Sequence, residues 1–309
     1  MAADQAAREA PVPLPEALLA RYARFSCYNS PYPAHDRGCA VDLYPDDGTA
    51  PAPLAGEVVD TRTVACPDRP YAVDHDYLIV LDVADDWAGG RGSDLLARIL
   101  HVDPAVSAGD WIDPGDSLGE TVRSGFFGRW VDDHLHLGFR PGDANPYRAS
   151  GSLPVVPDVS ITGAPWDGTG TVVETGQTFV RLDAPAHPDP GHWATIAADD
   201  GTPLDGGLAH YSGGGAYGVD GGPEGPLSLL GTEVGAAAPR DGGGADVTWG
   251  DVAIEVRGPD RTERATGLSL FAATESFGAK IVFHEGHGFA VGDEVQVAVE
   301  PAESSIRLG

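Results

Sequence analysis

Lysine is nearly absent from this chain of 309 residues: Lys280 stands alone, and 47 Asp and Glu face 19 Lys and Arg for a formal net charge of −28. Such acidity argues against nucleic acid and anionic membrane surfaces as partners, because both recruit Lys and Arg. Cysteine is scarce as well. Cys27, Cys39 and Cys66 form no CxxC pair, and an odd count gives no disulfide framework. No run reaches the ~18 apolar residues of a membrane span. The stretch Met1–Phe25 lacks the positive start and apolar core of a signal peptide. A soluble, cytoplasmic protein is the expectation.

What is present is carboxylate, spread along the whole chain. With 42% hydrophobic residues, this is no acidic disordered tail. Dispersed carboxylates with a single lysine look like proteins of salt-filled cytosols. At about 1 M salt the Debye length is roughly 3 Å, which screens the self-repulsion of such a surface.

Punctuation by Gly, Pro and Asp divides the chain into a leader with a short helix (1–32), a β domain (33–150) and a Gly-rich β domain (151–309). Residues 141–165 read as the boundary between the last two. The apolar spacing of Leu18, Leu19, Tyr22 and Phe25 predicts an amphipathic helix over Pro15–Phe25, packed on the first sheet. Glu57–Thr63, Tyr77–Val83, Leu95–His101 and His134–Phe139 read as strands, with a loop over Asp85–Asp94. Further on, Gly170–Leu182, Asp251–Val256, Ala279–Phe283 and Glu294–Val299 are β-like. Gly201–Gly250 reads as a long, partly mobile loop. The fold class is therefore mainly β.

The strongest chemical signal is HLHLGFR, His134–Arg140. Residues two apart in a strand share a face, so His134 and His136 can point at one centre. Imidazole is a common zinc ligand; the bland alternative is two histidines on a partly exposed strand. No HExxH motif is present.

Context sharpens the signal. AHDRGCAVDLYPDDGTAPAPLAGEVVDT precedes it, followed by YLIVLDV and ARILHVDPAVSAGDWIDPGDSLGET. In this order, over Pro33–Arg140, the pieces resemble the lysostaphin-type zinc endopeptidase family. Ala52-Pro53 to Val58 match its turn, and Leu100-His101 its strand ending in histidine. Val106–Gly119 match its repeated V-x-x-G-D hairpin, and His134–Arg140 its final strand. The resemblance implies a hybrid barrel or sandwich, followed here by a second β-rich unit. It implies Zn2+ held by Asp42 and His136, with His101 and His134 as the catalytic pair, and peptide-bond hydrolysis by metal-activated water.

One ligand departs from the pattern. The family's first histidine lies four residues before the aspartate, where this chain has Gly38. His35, seven residues before Asp42, reaches the metal only if 36–40 loops, which glycine at 38 permits. Asp36 is the substitute ligand, and a vacant position the remaining alternative. The substrate expected is a peptide or a peptide-containing molecule. The competing function is an inactive binding or assembly module of the same barrel kind. A biotinyl or lipoyl carrier is disfavoured, because Lys280 lies outside this region. His75, His187, His192, His284 and His287 read as structural or solvated, and Cys39 as a small buried residue. Oligomeric state and the role of 151–309 stay open.

Overall fold

The computed structural model describes residues 10–35, 37–90, 92–218, 221–275 and 277–308. It is mainly β, with sheets and a half-barrel. Two compact units divide it: residues up to Cys27 with Pro33–Val159, and Tyr28–Tyr32 with Ser160–Gly309. The boundary expected near 150 thus lies at 159/160. The described part of the expected leader is divided: up to Cys27 it belongs to the first unit, as strand β1 (Val12–Pro15), the single turn α1 (Glu16–Leu19) and strand β2 (Arg24–Ser26), while Tyr28–Tyr32 belong to the second. Among the described residues, no helix is long and apolar enough to cross a membrane.

The helix expected over Pro15–Phe25 stops after one turn. Its four apolar residues are buried as the spacing required, but Phe25 is buried on a strand. Arg24, Phe25 and Ser26 pair with Tyr44, Leu43 and Asp42 of β3 (Val41–Tyr44), so the backbone finds its partners in the sheet instead.

The other strands of the first unit are β4 (Thr49–Pro51), β5 (Gly56–Ala65), β6 (His75–Val83), β7 (Leu95–Leu100), β8 (Val102–Pro104), β9 (Trp111–Ile112), β10 (Ser117–Thr121), β11 (Leu135–Pro141) and β12 (Val155–Asp158). Its main sheet runs β2-β3-β11-β7-β6-β5-β9, every neighbour antiparallel, beside the small sheet β4-β10-β8. The repeated V-x-x-G-D pattern has a local cause. Gly109 and Gly115 take φ of +94° and +95°, and the following Asp110 and Asp116 accept the backbone N–H groups of Ser107 and Asp113.

Alternation sorts the central strand. Leu135, Leu137 and Phe139 of β11 are fully buried, packing one face into the core with Leu43, Ile79, Leu81 and Ile99. Each such side chain contributes roughly 1.5–3 kcal/mol of hydrophobic stabilisation. The opposite face of the same strand carries His136, and also Arg140. Burying the first set therefore aims the second.

The second unit contains a 12-stranded sheet among the described residues, from Gly225–Leu229 at one edge to Thr262–Ala265 at the other. Its core holds Trp166, Leu182, Trp249, Val256 and Ile281. The expected loop over Gly201–Gly250 instead supplies five strands: Leu204–Leu208, Gly213–Ala216, Gly225–Leu229, Thr232–Pro239 and Ala245–Trp249. Glycine is used there for close approach. A Cβ on Gly214 would meet the Trp249 ring at 2.4 Å, and one on Gly215 the Tyr28 ring at 2.2 Å.

Candidate metal centre

Asp42 and His136 are direct cross-strand partners on β3 and β11. His136 Nδ1 stands 3.0 Å from Asp42 Oδ1. His35 reaches the same point from the loop before β3: its Nε2 lies 3.2 Å from Asp42 Oδ1 and 3.0 Å from His136 Nδ1. The loop that permits this turns through left-handed Arg37 and Gly38, at φ +57° and +56°. Gly38 N–H bonds back to His35 O, and its own carbonyl accepts from Val155 N–H at the start of β12. The seven-residue offset is thereby taken up in a pinned turn. Asp36, the substitute ligand considered, lies outside the described residues.

All three side chains are buried, at 4%, 2% and 7% exposure. Among the described residues they form the one group whose ligand atoms, within 4.8 Å of one another, could hold a metal ion. Burial opposes the Asp42 charge, yet the adjacent His35 and His134 and the bonds from His136 and His35 hold its carboxyl well below the usual range. Burial drives His136 down to about 4, against the pull of Asp42, and lowers His134 as well. These groups are a carboxylate and neutral imidazoles at neutral pH, the forms that donate to metals.

The tautomers support the same fit. His35 Nδ1 faces the Cys27 carbonyl at 2.9 Å, an acceptor, so Nδ1 carries a proton, and whenever the ring is neutral Nε2 is a lone pair. That lone pair is aimed at a carboxylate oxygen and at another imidazole nitrogen. A neutral His136 has one proton to share among these contacts, which leaves lone pairs facing one another. A cation resolves the conflict, and the backbone carbonyl on the far nitrogen is the usual orienting partner of a ligating histidine.

Two further histidines flank the group. His134, immediately before β11, donates Nδ1–H to the Asp132 carbonyl at 2.9 Å, and its Nε2 lies 3.5 Å from Asp42 Oδ1. His101 follows β7, with its ring centroid 5.2 Å from that of His134 and 5.8 Å from that of His136. Phe127 packs on both His101 and His134, and Tyr44 on His134. The five residues singled out from the sequence are therefore gathered in one buried cluster.

Sequence reasoning missed Asp76. It bonds His101 Nδ1 at 2.5 Å and is in turn bonded by Ser124 Oγ at 2.7 Å. Burial works against its charge, but the bonds from His101, Ser124 and Tyr77 lower its carboxyl below the ordinary value. The adjacent His75, read as solvated, is exposed, at the first position of β6.

The remaining histidines have local partners. His287 Nε2 faces the carbonyls of Gly176 and Phe179, and His284 Nδ1 pairs with Thr266 Oγ1. His187 Nε2 meets the Ala273 carbonyl, and exposed His192 pairs with Asp189. Cys39 is half-buried rather than buried, with its Sγ 4.0 Å from the Arg37 carbonyl.

Residues 13–157 match the family described as Domain of unknown function (DUF8155) N-terminal domain, and residues 162–300 match its C-terminal domain. No curated protein matches the chain.

Proposed function

We propose that this chain, which belongs to the DUF8155 family, is a zinc-dependent hydrolase that cleaves a peptide bond with metal-activated water, as its resemblance to lysostaphin-type endopeptidases implies. The observation that carries the reading is the convergence of His35 Nε2, Asp42 Oδ1 and His136 Nδ1 beside two histidines that are not needed as ligands. Two imidazole nitrogens and one carboxylate oxygen suit zinc and leave a fourth position open. Zinc bound there would polarise a carbonyl and lower the pKa of water toward ~7. His35, Asp42 and His136 hold the ion. His101 and His134, each donating its Nδ1–H in a hydrogen bond, present Nε2 for proton transfer to and from substrate. Phe127 and Tyr44 keep bulk water from these rings, which strengthens every charge interaction between them. The working setting proposed is a high-salt cytosol, from the net charge of −28.

The test uses full-length protein prepared in molar potassium chloride, stripped with chelator and titrated with zinc. About one zinc per chain is expected, with cleavage of a mixed peptide library read by mass spectrometry and lost in His134→Ala. A protein that takes up no zinc in excess would end the hydrolase reading. One that binds zinc but cleaves no peptide would instead favour a binding module built on the same barrel.

A further inference from the structure

Asp76 has no exposed surface, yet four donors converge on its carboxylate. Oδ1 accepts the backbone N–H groups of Tyr77 at 2.6 Å and His101 at 3.1 Å; Oδ2 accepts His101 Nδ1 at 2.5 Å and Ser124 Oγ at 2.7 Å. One carboxylate thus grips both the main chain and the ring of His101. The main chain needs gripping: His101 sits at φ +69°, a left-handed conformation costing a non-glycine residue roughly 1–2 kcal/mol. Its carbonyl is held as well, by Val122 N–H at 2.9 Å.

We propose that Asp76, oriented by Ser124, is a positioning residue that fixes His101 in the Nδ1–H tautomer and so makes His101 the proton acceptor of the site. The assignment rests on the hydrolase reading for its chemistry and on hydrogen-bond geometry for its structure. An ionised carboxylate only accepts, so the proton between Asp76 and His101 belongs to Nδ1, and Nε2 is bare. His134 has the same tautomer, but its Nδ1–H meets a neutral backbone carbonyl. When an imidazole gains a proton, the ring against a carboxylate is the better stabilised of the two. The step balances. As the attacking water forms its bond to the carbonyl carbon, its proton passes to His101 Nε2. When the C–N bond breaks, that proton moves to the departing amine nitrogen and His101 returns to its starting tautomer. His134, with Nε2 bare in the same tautomer, is left to accept a hydrogen bond from a substrate N–H.

The test is the 15N–1H imidazole spectrum of the full chain, metal-free and zinc-loaded, in wild type, Asp76→Asn and Ser124→Ala. Wild type is expected to show His101 protonated on Nδ1 in both states. In Asp76→Asn the amide can donate to Nδ1, so the ring should switch wholly or partly to Nε2–H while zinc stoichiometry stays unchanged. Ser124→Ala should keep the tautomer but speed exchange of the Nδ1 proton about tenfold, as expected for losing one hydrogen bond to a charged group. A wild-type His101 protonated on Nε2, or an Asp76→Asn ring unchanged from wild type, would overturn the proposal. If Asp76→Asn does not fold, unchanged exchange in Ser124→Ala does so. Because the tautomer is readable without metal, failure here is distinct from failure to bind zinc.

Discussion

His136 Nδ1 stands 3.0 Å from Oδ1 of Asp42, directly across the ladder that joins β11 to β3. Two of the three ligands are thus fixed by strand register, and the third by a turn. The ligand variants should differ accordingly. His136→Ala and Asp42→Ala are expected to abolish zinc uptake in calorimetric titration. His35→Ala should weaken it at least about tenfold, or roughly 1.4 kcal/mol, and His134→Ala should leave it intact. Unchanged affinity in His35→Ala would remove His35 from the ligand set.

Acid should destabilise the metal-free protein between pH 6.5 and about 3. His136 is held down to about 4 and His210 to about 3, each chiefly by burial. In that window the unfolded chain binds protons that the folded imidazoles refuse, so stability is full above 6.5 and is lost as pH falls. By linkage His136 contributes up to roughly 3 kcal/mol and His210 up to roughly 5 kcal/mol. Asp42, with its carboxyl held low, adds to the loss only further down. Urea midpoints at pH 7 and pH 5 check this, and equal midpoints would contradict it.

Gly214→Ala and Gly215→Ala place a methyl against the Trp249 and Tyr28 rings. Each should lower stability by about 1–3 kcal/mol, the range for overpacking. Zinc stoichiometry should not change, because the ligands belong to the other unit.

Arg98 is buried at 5% exposure, its Nε has no hydrogen-bond partner, and burial followed by the nearby Arg140 lowers its pKa to about 10. An apolar side chain of similar length should be tolerated there or better. Arg98→Met is expected to hold or raise the melting temperature; a fall of several degrees would show that the guanidinium has a structural task.

Salt should matter strongly. The net charge of −28 requires screening, so the melting temperature should climb steeply from dilute buffer to molar potassium chloride. A flat response would remove the high-salt reading.

The sheet strands were legible because alternation is a local property. His134 and His136 could be placed on one face from their spacing alone, and Leu135, Leu137 and Phe139 confirm the phase by filling the core. His35 was harder, since an odd offset says nothing until a turn is known to absorb it. Asp76 was illegible: its role depends on His101, 25 residues away, and on Ser124, 48 away. The helix at Pro15–Phe25 was over-read because residues 18, 19, 22 and 25 are equally buried by one turn followed by a strand. Glycine suggested a loop at 201–250 where it instead admits Trp249 and Tyr28 against neighbouring strands.

His35 and His136 are 101 positions apart, and the chain's three cysteines form no disulfide. An ion gripped by both histidines ties a loop of that size shut, as a disulfide would. On the chain-entropy view, closing about 100 residues removes roughly 5 kcal/mol of freedom from the unfolded ensemble. The centre would then double as a removable cross-link. Chelation would make the first unit easier to unfold and to cut with protease, and returning the ion would lock it again.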